Sequence, residues 1–291
     1  MLTLEQFIEH MHEGVIVTDA ERHILLVNAS FCRVTGYSRE ESLGQNPKML
    51  QSGRHSQEFY ALMWNQLQKL GSWEGEIWNR RKSGEVYPEW LSIAVVKNEK
   101  QEITHYLAIF ADITNRKLAE QRLKDLAHFD PLTGLPNRVL YHDRLHQALA
   151  LARRRQDKVA LLFIDLDQFK SVNDTLGHSV GDALLLKTAE VLKTCVREVD
   201  TVARVGGDEF TVILSGIARE EDASHVAQKI LQAFSHPLVV AGISLRTTPS
   251  IGIALSTGEH EDIETLHSHA DKAMYEVKRQ GRNAYGFYKA G

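Results

Sequence analysis

The sequence predicts an α+β protein built as two domains joined by a helical linker. Three observations carry that reading. The chain has 291 residues, long enough for about two domains of ordinary size. Residues 12–112 alternate apolar runs with turn signals, as an antiparallel sheet does. Beyond residue 130, two apolar runs bear carboxylates at their ends, and amphipathic helical stretches separate them.

Residues 14–18 and 24–28 read as short strands separated by a polar turn. Ser38 and Glu41 have the spacing of a capping box, and residues 58–70 read as a helix. Residues 73–79, 87–96 and 103–111 follow as three longer strands. Their turns fall at Lys82-Ser83-Gly84 and Asn98-Glu99-Lys100-Gln101. The expectation for residues 1–112 is a five-stranded antiparallel sheet with flanking helices. Residues 113–129 contain neither glycine nor proline and favour a helical linker. Ala119, Leu123 and Leu126 follow a 4–3 spacing suited to a short helical pair.

In the third segment, 130–291, residues 159–164 form a continuous apolar run of the kind found in a buried central strand. It ends in Asp165-Leu166-Asp167-Gln168-Phe169-Lys170. Residues 204–214 read as a tight hairpin with Gly206-Gly207-Asp208-Glu209 at its tip. The glycine pair permits positive φ and lets a ligand approach without a Cβ in the way. Two acidic strand ends that face one another suit a hard divalent cation, since Mg²⁺ takes one or two carboxylates plus substrate phosphates. Either motif alone is more simply a solvated turn.

Further motifs join these: Asp130-Pro131-Leu132-Thr133-Gly134-Leu135-Pro136-Asn137-Arg138, Asn173-Asp174, Gly177-His178, Gly181-Asp182, and Tyr275 through Lys278 to Gly281-Arg282-Asn283. With them, residues 127–288 resemble the GGDEF domain, the diguanylate cyclase catalytic domain. The resemblance implies a ferredoxin-like palm related to nucleotide cyclases, condensing two GTP into cyclic di-GMP with release of two pyrophosphates. It implies Mg²⁺ or Mn²⁺ on Asp165, Asp208 and the Leu166 carbonyl. Asp208, Glu209 and Lys170 would be catalytic, with Glu209 either helping to deprotonate the attacking hydroxyl or ordering the metal site. Asn173 and Asp182 would read guanine, with Gly177 and Gly181 letting a loop fold around the base. A helix start at Asp182 is compatible with this, because Leu185, Ala189, Leu192 and Val196 share one helical face. Phe169, Lys170, Gly206, Gly207, Lys278 and Arg282 would hold the triphosphate. Lys278 and Arg282 are four apart, on one helix face unless Gly281 ends the helix first. Arg197 and Asp200 resemble the family's RxxD site, where bound product gives feedback inhibition. Their plain alternative is a surface ion pair. One palm binds one GTP, so the resemblance also implies a homodimer.

The first half resembles a PAS sensory domain, on Thr35-Gly36-Tyr37-Ser38 and the closing Asp112-Ile113-Thr114. Residues 44–51 look like the segment that carries the photoreactive cysteine of LOV flavin domains. Pro47 stands in the cysteine's place, which excludes a cysteinyl-flavin photocycle there. Residues 73–82 are similar to redox PAS domains that hold FAD without a thiol, naming Trp73 and Asn79 as ligand contacts. FAD, haem and no ligand at all stay open. His142/His146 and His267/His269 lack accompanying ligands and read as surface pairs.

Hydrophobic residues make up 43% and charged ones 25%, with net charge −4, so the composition favours neither nucleic-acid nor membrane partners. No run approaches 18 apolar residues, and no signal-peptide pattern opens the chain, which suggests a cytoplasmic protein. Two alternatives to an enzyme are a non-catalytic cyclic di-GMP receptor and a PAS dimerisation scaffold. The intact Asp165, Asp208, Glu209 and Lys278 favour the enzyme, because a silent palm has no chemical need for them.

Overall fold

Alternating burial along the first hundred residues builds one antiparallel sheet. Its strands are β1 (Gly14–Asp19), β2 (Ile24–Val27), β3 (Ser72–Arg80), β4 (Val86–Lys97) and β5 (Ile103–Asp112), in spatial order β2-β1-β5-β4-β3. The structure, a computed structural model, describes residues 4–256 and 262–289. The outermost residues of both expected domains lie outside that description. Helices α1 (Leu4–Glu9), α2 (Ala29–Thr35), α3 (Arg39–Ser42) and α4 (Gln57–Leu70) flank the sheet. Phe31, Met63, Leu67 and Phe110 help fill the core, and each large side chain so buried is worth about 1.5–3 kcal/mol. The capping box at α3 is present, with Ser38 Oγ accepting from Glu41 N and Glu41 Oε2 from Ser38 N. Asn28 is wholly buried and caps α2. Its Oδ1 accepts from Val15 N and Phe31 N, while its Nδ2 donates to Ile8 O and Glu13 O.

Helix α5 (Thr114–His128) has no buried residue, and Leu118, Leu123 and Leu126 stand at least half exposed. Its start is tied to the sheet. Asp112 Oδ1 accepts from Thr114 N at 2.8 Å, and Asp112 Oδ2 accepts from Arg81 Nη2 at 2.5 Å. Arg81 in turn lies 4.0 Å over the Tyr87 ring. The chain divides into two compact units between Arg122 and Leu123, inside this helix.

In the second unit the elements run α6 (Arg138–Arg155), β6 (Lys158–Leu166), α7 (Phe169–Leu176), α8 (His178–Cys195), β7 (Thr201–Gly206), β8 (Glu209–Ile217), α9 (Glu220–Ala233), β9 (Leu238–Val240), β10 (Ile243–Leu245), β11 (Pro249–Leu255), α10 (Ile263–Arg279) and β12 (Tyr285–Phe287). The main sheet has the order β12-β11-β6-β8-β7, antiparallel except for β11 with β12. Strand β6 is central and feeds two cores by strict alternation. Ala160, Leu162 and Ile164 pack with α8 and α9, while Val159, Leu161 and Phe163 pack with α6 and α10. Helix α10 lies so close to β11 that a Cβ on Gly252 would sit 2.0 Å from Ala270 O. Among the described residues, no helix is long and apolar enough to cross a membrane.

The expected loop between Gly177 and Gly181 is not a loop. Residues 169–176 form α7, and α8 begins at His178, four residues before Asp182. Gly177 (φ +86°) makes the break between the two helices. Of the two histidine pairs, His146 is exposed as expected, but His267 and His269 are engaged with neighbouring rings. His267 Nδ1 lies 3.0 Å from the buried Tyr141 Oη, and the His269 ring stacks on Tyr288 at 3.8 Å.

Glu89 on β4 is 2% exposed and receives hydrogen bonds from Asn79 Nδ2 and Tyr87 Oη, both at 2.8 Å. Burial pushes its carboxyl up from 4.5 to about 7 against those two bonds, with Asp112 adding to the rise and Arg81 opposing it. The folded value lies above the unfolded one, so the group's contribution is complete below pH 4.5 and is lost as pH rises through 7. A shift of that size corresponds to roughly 3 kcal/mol. The melting temperature of the first unit should therefore fall between about pH 4.5 and 7, and Glu89→Gln should flatten that fall. Parallel pH–stability curves for the two proteins would show that Glu89 is not its source.

Candidate active site

The acidic strand ends converge. Asp165 is 8% exposed at the end of β6, directly opposite Glu209 on β8 and Ser250 on β11. Gly207 and Asp208 form the turn between Gly206 and Glu209, which pair across the β7–β8 hairpin. Burial raises the Asp165 pKa, Lys278 opposes that rise, and Asp208 adds to it. Lys278 Nζ lies 2.7 Å from Asp165 Oδ2. Glu209 is likewise raised, by burial first and then by Asp165, Asp208 and Asp271. Three carboxylates thus share one field, relieved on the described protein side mainly by Lys278. The β6–β8 register stops at the Asp165–Glu209 pair, so no β8 residue stands opposite the Leu166 carbonyl.

Neither Gly206 nor Gly207 uses positive φ, contrary to the expectation for this turn. The second expectation fits better, because a Cβ on Gly207 would meet nothing within 4 Å. The turn is held instead by Arg204, whose Nε and Nη2 donate to Gly207 O at 3.0 and 2.7 Å. Arg204 Nη1 reaches both oxygens of Asp130, at 2.9 and 3.1 Å. Asp130 also accepts from Thr133 N and Thr133 Oγ1. Arg204 is a positioning residue that sequence reasoning passed over, since nothing local marks a strand arginine as a clamp.

Asp167 lies two residues after Asp165 and is buried beside it, but it has a different task. Thr248 Oγ1, Ser250 Oγ and Asn283 N all donate to its carboxylate, at 2.6, 2.8 and 3.2 Å. Arg282 Nε stands 3.9 Å from it. Helix α10 stops at Arg279, and Arg282 has φ +63°, so Arg282 and Lys278 do not share a helix face. The chain turn after the helix, rather than helical periodicity, carries Arg282 back to the acids.

Phe169 and Lys170 open α7, and no side chain caps that helix start. First-turn N–H groups have no intrahelical acceptor, so they face outward as donors. Asn173 on α7 lies against Gly181 on α8, where a Cβ would come 1.8 Å from Asn173 Oδ1. That oxygen is buried without a partner, and Asp182 is the next residue along α8. A helix–helix contact therefore brings the two expected base-reading residues together.

Among the described residues, no three or more His, Cys, Asp or Glu side chains form a closed metal cage. The donor set still suits Mg²⁺ or Mn²⁺. Two carboxylates repel one another beside the Leu166 carbonyl, which no β8 residue faces, and hard oxygen donors of this kind suit a cation that keeps its remaining positions for phosphate.

A profile described as the GGDEF domain of diguanylate cyclases matches residues 127–284. The chain belongs to the GGDEF family. A PAS-domain profile matches residues 12–115. The bifunctional diguanylate cyclase/cyclic di-GMP phosphodiesterase MucR of Pseudomonas aeruginosa is 42% identical over 201 residues, 69% of this chain and 28% of MucR. The diguanylate cyclase TpbB of the same species is 43% identical over 172 residues, 58% of this chain and 38% of TpbB. The chain thus spans well under half the length of these two relatives. The solved coiled coil and GGDEF domain of DgcB from Caulobacter crescentus, in complex with c-di-GMP, has a TM-score of 0.53 at 29% identity, covering 60% of this chain and 93% of that one.

Two other expected sites take definite form. In the GGDEF domain, Asp200 does not pair with the Arg197 guanidinium. Its carboxylate accepts from Arg197 N at 3.0 Å and from Ser215 N at 3.4 Å, and the Arg197 side chain is exposed. In the PAS domain, Asn79 lines a cavity of about 610 Å³, but Trp73 does not. Trp73 and Asn79 share one face of β3, six residues apart. At the Trp73 end, Phe59 of α4 covers the indole edge-on at 6.2 Å and closes the space.

Gly181→Ala tests the Asn173 placement. The added methyl displaces the amide, so GTP affinity should fall about tenfold or more, as expected when buried polar groups lose their partners. Thermal stability should hold, since alanine favours the helix by up to about 1 kcal/mol over glycine. Calorimetric titration with GTP reads the effect, and unchanged affinity would remove Asn173 from the nucleotide site.

Proposed function

We propose that the GGDEF domain condenses two GTP into cyclic di-GMP with release of two pyrophosphates, under control of the PAS domain. The convergence of Asp165, Asp208 and Glu209 beside Lys278 carries this reading. Each ribose 3′-oxygen bonds to the α-phosphorus of the other GTP. The α–β phosphoanhydride bond breaks, and the hydroxyl proton leaves. Catalysis of this kind is mainly positioning and charge stabilisation.

Asp165, Asp208 and the Leu166 carbonyl are the groups that would hold Mg²⁺ or Mn²⁺, which when bound supplies Lewis-acid stabilisation at the α-phosphate and a more acidic attacking hydroxyl. Glu209 orders that site or takes the hydroxyl proton. Lys278, Arg282 and Lys170 supply positive charge for the triphosphate, with the outward N–H groups of Phe169 and Lys170 at the α7 start. The open space over Gly207 lets phosphate approach the backbone of the turn. Asp182 accepts from the guanine N1–H and N2–H, and Asn173 adds an amide. Adenine offers the wrong donor pattern to this pair.

One domain holds one GTP, so two must face each other. The uncovered leucines of α5 suit pairing between two copies, which raises the effective concentration of the second domain. GTP supply places the reaction in the cytoplasm. Bound cyclic di-GMP at the exposed Arg197, beside the Asp200 turn, restrains that encounter as feedback.

Incubation with GTP and Mg²⁺, followed by nucleotide chromatography, should yield cyclic di-GMP and pyrophosphate. Asp208→Ala should lower turnover at least about a thousandfold with folding intact, on the scale of lost charge stabilisation in a reacting site. Turnover that persists in this variant would defeat the assignment of the acidic tip. Arg197→Ala should leave the initial rate alone and straighten the progress curve. A curve that still bends as product accumulates would discount the feedback site.

A further inference from the structure

One buried acid next to the candidate active site has no task in the cyclase reading. Asp167 is 6% exposed and lies in the turn between β6 and α7. Its Oδ1 accepts from Ser250 Oγ at 2.8 Å, and its Oδ2 accepts from Thr248 Oγ1 at 2.6 Å and Asn283 N at 3.2 Å. Its backbone is fixed as well, with N donating to Thr248 O at 2.8 Å and O accepting from Thr247 Oγ1 at 3.3 Å. With three of its roughly four acceptor sites filled, this carboxylate is better suited to hold protein than metal. Those donors are neutral, and a buried carboxylate needs opposite charge close by. Arg282 provides it, with Nε 3.9 Å from Oδ1.

Arg282 stands in an uncommon stretch of backbone. Gly281, Arg282 and Asn283 have φ of +122°, +63° and +48°. Left-handed backbone is disfavoured for residues with a side chain, and two in succession persist only where the surroundings enforce them. Three bonds do so here. Arg282 N donates to Val277 O at 3.1 Å, Asn283 N to Asp167, and Ile251 N to Ala284 O at 3.0 Å. Of these, the Asp167 bond is the one whose acceptor also draws in the arginine side chain. With Nε turned to Asp167, Nη1 and Nη2 have no partner among the described residues, and the side chain is 53% exposed. A guanidinium held by one edge presents its remaining N–H groups as a fork, which fits phosphate oxygens. Holding it beforehand spares the rotamer freedom that binding would otherwise remove.

We infer that Asp167 is a positioning residue for the substrate's polyphosphate: it holds the left-handed turn and the Nε edge of Arg282 so that the Nη edge meets the phosphates. The inference rests on the reading of this site as a GTP site. A plain structural brace would instead affect every ligand of the domain alike.

The full-length protein in Mg²⁺ is titrated calorimetrically with the α,β-methylene analogue of GTP, which cannot lose pyrophosphate, and with guanosine. Asp167→Asn keeps the shape of the side chain and should weaken the analogue about tenfold, the range of one charge-assisted bond. Guanosine affinity should stay within about twofold, since it has no phosphate to lose. Arg282→Ala should weaken the analogue likewise, and adding Asp167→Asn to it should cost nothing further, as coupled residues behave in a double-mutant cycle. Thr248→Val removes one hydroxyl and leaves the charge. It should give about threefold in the same direction, and it carries the test if Asp167→Asn does not fold. Equal weakening of guanosine and the analogue, or losses from Asp167→Asn and Arg282→Ala that add in full, would overturn the inference. Wild-type protein that binds the analogue but turns over no GTP would sink the cyclase reading alone, because the cycle is read by binding.

Discussion

Mutual repulsion among Asp165, Asp208 and Glu209 is the constraint around which the GGDEF unit is arranged. Like charges brought together at a partly buried strand end destabilise the fold unless opposite charge is near. Lys278 supplies part of it from α10. The close seating of α10 on β11, which Gly252 permits, keeps that lysine over the acids. The site is thus held short of electrostatic balance by the packing of its own core. That deficit is what a cation and a triphosphate together are suited to correct.

Two hydrogen-bonded carboxylates do the mechanical work around the acids that stay available. Asp130 and Arg204 tie the hairpin tip to the domain's opening turn, through a charge-assisted contact of one guanidinium nitrogen with both carboxylate oxygens. Asp167 fastens the end of β6 to β11 and to the chain after α10. Asp165 and Asp167 have the same residue type and lie two positions apart, one near the end of β6 and the other in the turn just beyond it. Their surroundings set their roles: one meets a lysine and two acids, the other two hydroxyls and a backbone amide.

The PAS unit places its own buried acid at a junction. Glu89 faces the cavity, bonds Tyr87, and lies in register with Asp112 across β4 and β5. Arg81 covers the Tyr87 ring and holds Asp112, which caps the start of α5. A contiguous set of contacts therefore runs from the cavity to the first turn of the linker helix. These are the groups whose rearrangement would reach that helix first.

Much of this was legible in the sequence because it is local. Periodicity located the five strands of the first sheet and β6 with the β7–β8 hairpin of the second, the Ser38–Glu41 spacing marked a cap, and the run through Asp165 and the Gly-Gly-Asp-Glu tip located the acids. The sequence by itself determined which residue types stand at strand ends and turns, since those depend on neighbours a few positions away. Tertiary structure decided the rest. It made helices of the stretch expected to be a loop, because α7 and α8 pack on one another and Gly181 leaves room only for Asn173. It returned Arg282 to Asp167 after the helix had ended, took Trp73 out of the cavity by laying Phe59 across it, and turned Asp200 toward backbone amides instead of Arg197. It also brought Arg204 to Asp130 across 74 positions of chain. Each of these contacts joins residues through packing or chain reversal, and no short-range pattern encodes which distant partner a side chain will meet.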